Sequence, residues 1–151
     1  MHEALPLMQA TLQSGGTLRI TAHGGSMRPL LRGGEDVEII APSTRLRKYD
    51  MAFYIRQNES FVLHRVVKAH KNGCYTMCGD NQTGLEPNIA HSQILGVVTR
   101  FQSDASWISA DNPAYRAYAR RRVRSRARRR ESCADRYGQR VAMRRFGRLE
   151  V

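Results

Sequence analysis

The chain has 151 residues and carries 25 Lys and Arg against 13 Asp and Glu, a formal net charge of +12. No stretch approaches the roughly 20 consecutive apolar residues that a membrane helix requires, which excludes a spanning protein and leads us to expect a cytoplasmic one, soluble or peripheral to a membrane. The three cysteines, Cys74, Cys78 and Cys133, are an odd set without the spacing of a disulfide framework, which points to a reducing compartment and away from a stapled secreted fold.

The charge divides unevenly. Residues 1–115 hold 11 basic against 10 acidic side chains, whereas residues 116–151 hold 14 arginines against 3 acids. The expected organisation is therefore a near-neutral body over residues 1–110 and an arginine-rich tail over 111–151. A body of that length has room for its own core, so it is expected to fold without residues 114–151.

In chain order, residues 3–13 are the only helical candidate of the body. Short strand signals follow over 17–22, 36–40, 50–56, 60–69, 73–77 and 93–101, rich in β-branched and aromatic residues. The breaks between them are Gly33-Gly34, Ala41-Pro42-Ser43, Gln57-Asn58-Glu59, Lys71-Asn72-Gly73 and the loop from Gly79 to Pro87. Asn58 and Asn72-Gly73 mark hairpins. The body thus reads as a small, mainly β, antiparallel domain. Asp111-Asn112-Pro113 is a helix start, with a capping side chain followed by proline in the first turn. From Ala114 onward Tyr115, Tyr118, Ala119 and Val123 form one stripe among arginines.

Three stretches bear on chemistry. In His23-Gly24-Gly25-Ser26-Met27-Arg28-Pro29-Leu30-Leu31, the diglycine permits a sharp turn that exposes Ser26 and its backbone N–H, which can stabilise an oxyanion. The same residues also describe an ordinary capped turn. In Phe61-Val62-Leu63-His64-Arg65-Val66-Val67, a histidine interrupts an apolar strand. A neutral imidazole, with an ordinary pKa of about 6.5, can take a serine proton near neutrality, although a strand histidine also serves as a packed core residue. His2, His23, His70 and His91 sit in loops or at ends. The third stretch, Tyr75-Thr76-Met77-Cys78-Gly79-Asp80-Asn81-Gln82, carries Asp80 in a turn that is also plain turn chemistry. Glu86 is a second acid six residues on.

Together, Ser-Met-x-Pro-Leu-Leu, His-Arg-Val-Val and Gly-Asp-Asn resemble the motif series of the signal peptidase and LexA-like clan of serine peptidases, over about residues 17–101. The resemblance implies a serine endopeptidase of the serine/histidine branch. Ser26 would be the nucleophile, His64 the general base, and Asp80 the group that orients His64 or its loop; Lys48 and Lys68 are the lysines to consider should the base be a lysine. It implies an extended peptide substrate with small residues beside the cut, and neither a metal nor an organic cofactor. Two positions depart from the clan: Gly24 stands where many bacterial members have Ser or Thr, and Tyr49 where glycine is usual. The alternative is a non-catalytic or self-processing LexA-like regulator that works through the basic tail, with nucleic acid or an anionic membrane surface as partner.

Overall fold

The structure, a computed structural model, describes residues 3–129. Cys133 and the part of the arginine-rich segment from residue 130 lie outside the described residues.

The body is one eight-stranded antiparallel sheet. A helix, α1 (Ala4–Gln13), precedes β1 (Leu18–Thr21), β2 (Asp36–Ile40), β3 (Met51–Ile55), β4 (Phe61–Ala69), β5 (Tyr75–Cys78), β6 (Glu86–Ile89), β7 (Ile94–Ser103) and β8 (Ser106–Ser109), and a second helix, α2 (Pro113–Arg129), closes the described chain. The strands run in the order β1-β2-β7-β3-β4-β5-β6, with β8 paired to β7. The hairpins β3–β4 and β4–β5 form at the asparagines: Asn58 Oδ1 accepts from Ser60 N–H at 3.1 Å and Asn72 Oδ1 from Cys74 N–H at 3.1 Å. The two strands without a sequence signal are β6, which contains Pro87 and lies at the edge where a missing N–H is tolerated, and β8, a four-residue partner of β7.

Alternation sorts the central strands between two cores. Met51 and Phe53 of β3 enter a cluster with Met27, Leu30, Leu31 and Phe101. Ala52 and Tyr54 enter a second cluster with Val62, Val66, Tyr75 and Met77. Strand β3 is therefore apolar without a break because both of its faces are covered.

Helix α2 belongs to the body. Asn112 Oδ1 caps it by accepting from the N–H groups of Ala114 and Tyr115, at 2.9 and 3.1 Å. Tyr115 and Tyr118, 4% and 3% exposed, are members of the first core. The expected division at residue 110 separates α2 from a core to which it contributes, and a cut at 114 removes two core aromatics. The stripe was legible in the sequence, but the surrounding arginines masked its burial.

Tyr49, in the place of the glycine expected there, has φ 83°. That left-handed backbone is disfavoured for a side chain with a Cβ. Its N–H is held by the Val66 carbonyl at 2.8 Å and its own carbonyl by Arg65 Nη1 at 2.9 Å, so tertiary hydrogen bonds at both ends of the residue impose the conformation.

Candidate active site

Ser26 lies in the turn after the diglycine, where Gly24 takes φ 79°. Its neighbours Met27, Leu30 and Leu31 are core residues, so the turn is anchored from its C-terminal side. The Ser26 carbonyl accepts from Asn81 N–H at 2.8 Å, and Asn81 Nδ2 donates to the Gly25 carbonyl at 3.2 Å. Gly79 fits against this contact because a Cβ there would come 2.5 Å from the Ser26 carbonyl oxygen. The motif pair Ser-Met and Gly-Asp-Asn is thus brought together by backbone. Ser26 Oγ and Ser26 N–H have no protein partner among the described residues.

His64, 3% exposed, leaves β4 on the face of the second core. It sits opposite Ala52, which puts Tyr54 on the diagonal of the same face. His64 Nδ1 is 3.3 Å from Tyr54 Oη, and Tyr54 donates its single proton to Glu86 Oε2 at 3.0 Å. Arg56 grips the same carboxylate through Nε and Nη2 at 2.8 and 2.7 Å. Because the tyrosine proton is committed to Glu86, the hydrogen-bond chain assigns the imidazole proton to Nδ1, which donates to Tyr54 Oη. Nε2 then carries the lone pair, the form a general base requires.

Burial pushes the His64 pKa down to about 4; the Glu86 charge opposes this, the Arg56 charge adds to it and the Asp80 charge opposes it. The expected value near 6.5 therefore gives way to one that keeps the ring neutral throughout the physiological range. Arg56, by its hydrogen bonds, holds the Glu86 carboxyl below the usual carboxylate range despite partial burial. Glu86 is accordingly the anion behind the tyrosine.

Asp80 is occupied elsewhere. Arg65 grips both of its oxygens, Nε to Oδ1 at 2.7 Å and Nη2 to Oδ2 at 2.8 Å, and Tyr118 Oη donates to Oδ2 at 2.9 Å. Both ionic side chains are 1% exposed. Asp80 reaches His64 through its field alone; its hydrogen bonds all belong to the opposite face of β4. The acid that the sequence placed second, Glu86, is the one connected to the histidine. Tyr54 and Arg56 were missed altogether; the register of β3 on β4 is the signal that finds them.

An open groove of about 630 Å³ runs beside this chain of groups, lined by Arg56, His64, Met77, Glu86 and the 81–85 loop. Leu85, 46% exposed, supplies an apolar lip. Ser26 neither lines the groove nor hydrogen-bonds His64 among the described residues; the Gly79–Asn81 turn connects the two. The described residues contain no group of three or more His, Cys, Asp and Glu side chains suited to hold a metal ion, and no described helix is long and apolar enough to cross a membrane. Compared with protein-family models, curated proteins and solved structures, the chain matches none of them.

Proposed function

We propose that the protein is a serine endopeptidase of signal-peptidase-like type, with Ser26 as nucleophile and His64 as general base. The observation that carries this reading is the pairing of an uncommitted hydroxyl and N–H at Ser26 with a neutral, buried histidine, the two joined through one backbone-bonded turn. The motif resemblance over residues 17–101 supports it.

His64 Nε2 takes the Ser26 Oγ proton as Oγ bonds to the peptide carbonyl carbon, and the Ser26 N–H donates to the resulting oxyanion. The same proton passes from Nε2 to the leaving nitrogen as the C–N bond breaks. A water deprotonated by His64 then releases the acyl group. In the resting protein no hydrogen bond joins Ser26 to His64, and the reaction requires that bond to form with substrate present, as catalytic hydrogen bonds commonly tighten only then. An extended peptide would pair with the outer side of edge strand β6 and rest on Leu85.

The test is labelling with a fluorophosphonate probe. Wild-type protein should be phosphonylated in a single position, with fluoride leaving, and Ser26→Ala should not be labelled. Labelling that persists in Ser26→Ala, or none in folded wild type, overturns the assignment. The separation of Ser26 from His64 is the observation that favours the second reading, a self-processing or non-catalytic regulator. That reading expects no cleavage of added peptides.

A further inference from the structure

We infer that the cleft between the 42–51 loop and helix α2 binds nucleotide phosphate, presented by a free nucleotide or by a single-stranded nucleic acid. The inference does not depend on the peptidase reading, because this cleft and the groove beside His64 share no lining residue.

The cleft encloses about 440 Å³, within the roughly 300–1,000 Å³ of ordinary small-ligand sites. Its rim carries Arg45, Arg47 and Lys48 on the loop and Arg116 and Arg120 on the helix, all exposed, against the acids Asp50 and Asp111. None of the five cationic head groups takes part in an ion pair among the described residues. Arg45 lies over the Tyr75 ring at 6.0 Å and Lys48 over the Tyr49 ring at 5.2 Å, contacts that leave the charge without a counterion. Five like charges around one concavity repel each other, and an anion bearing several negative oxygens relieves that repulsion.

The cations select phosphate, and the shape of the site selects a nucleotide over a bilayer. Four of the five cations are arginines, whose planar fork matches two phosphate oxygens at once. The site is also recessed, with Val97, Val98 and Ala119 among its walls, so a flat headgroup layer meets the rim and does not reach the interior. Half-buried Tyr49 adds an aromatic ring to the wall, where a base can stack. Arg116 and Arg120 stand one helical turn apart on one face, so they can hold neighbouring phosphates of a strand.

The experiment measures anisotropy of the full-length protein with a labelled 12-nucleotide single strand and, separately, a labelled adenosine diphosphate, over a range of salt. Arg116→Gln/Arg120→Gln and Arg45→Gln/Arg47→Gln each remove two charges from the cleft, from different elements. Arg124→Gln/Arg128→Gln removes two exposed charges from the same helix outside it. Each cleft pair should weaken binding tenfold or more and the control pair less than threefold. The salt slope for the strand should fall by roughly 0.7 for each phosphate that the variant no longer neutralises. Whichever ligand responds identifies the source of the phosphate. Equal losses of affinity in cleft and control pairs, or absence of binding to both ligands, overturns the proposal. All six substituted side chains are exposed, and coincident thermal melts with wild type exclude unfolding as the cause.

Discussion

His64 and Arg65 are chain neighbours on β4 whose side chains leave the strand on opposite faces, His64 towards Tyr54, Glu86 and Arg56, and Arg65 towards Asp80, Tyr115 and Tyr118. On one face, Arg65 and Asp80 make two parallel hydrogen bonds, and the remaining Arg65 Nη1 is shared between the Tyr49 carbonyl at 2.9 Å and Tyr115 Oη at 3.0 Å. Both tyrosine rings flank the guanidinium, at 5.5 Å for Tyr115 and 5.9 Å for Tyr118. Burial works against the Arg65 charge, but the Asp80 carboxylate together with Tyr115 and Tyr118 more than offsets it and raises the pKa well above the usual value. On the other face, His64 Nδ1, Tyr54, Glu86 and Arg56 form a chain that ends at half-exposed residues, and the imidazole lines an open groove. The first cluster is closed and saturated, so it positions the 79–81 turn. The second ends in an unshared lone pair, so it can do chemistry. The same residue types serve structure or reactivity according to whether every polar atom is already satisfied.

The sharpest break in this comparison comes from the reactive face. His64→Ala should lower peptide turnover by about 10⁴-fold or more, the scale on which loss of a catalytic base acts, while the urea midpoint changes far less than in a variant of the ion pair. Near-full activity in a folded His64→Ala protein would move attention to Lys48 or Lys68.

Next in size is the closed face. Asp80→Ala leaves the Arg65 charge buried without its partner, and urea unfolding should show a loss of about 3–5 kcal/mol. A variant that keeps wild-type stability but loses turnover would return Asp80 to the catalytic chain.

The two faces also separate by pH. His64 has a folded pKa of about 4 against an ordinary 6.5, so between those values the unfolded chain takes up a proton that the folded protein refuses. That contribution to stability is intact above about pH 6.5 and declines as pH falls to 4, by a total on the order of 3 kcal/mol. His64→Gln should flatten the decline in urea titrations between pH 6.5 and 4.5, above the range in which Glu86 protonates. Turnover in wild type should correspondingly keep its acid limb near pH 4; a limb near 6.5 would mean that the imidazole is solvated when it acts.

The smallest effect concerns the tyrosine. Tyr54→Phe cuts the connection from Glu86 to Nδ1 while leaving the ring in the second core, and turnover should fall by roughly tenfold, about 1.4 kcal/mol of lost orientation. A tenfold loss with an unchanged melting temperature places Tyr54 in the orienting chain; an equal loss in stability and no change in rate would make it a packing residue.

Much of the architecture was legible because it rests on local signals. The apolar runs of β2, β3, β4 and β7, the asparagine turns and the Asn112 cap are properties of short segments, and the corresponding elements lie where those segments are. The pairing of the Ser26 turn with the Gly79–Asn81 turn has no local signal, since 53 residues separate Met27 from Asp80. Strand β6 escaped notice because Pro87 removes a ladder donor and only its edge position makes that harmless.

The sequence by itself determined which residues could do chemistry, a serine in a glycine-rich turn, a histidine in an apolar strand and two acids, and that an antiparallel mainly β body would carry them. Tertiary structure alone decided which acid is linked to the histidine and which to the arginine beside it. Strand alternation sends residues 64 and 65 to opposite faces, and the packing of α2 then closes Tyr115 and Tyr118 over Arg65 and Asp80. Among the acids of the described residues, only Glu86, on the face that α2 leaves open, remains connected to the histidine through hydrogen bonds. Saturation of a polar cluster depends on groups drawn from distant parts of the chain, and no local pattern encodes it.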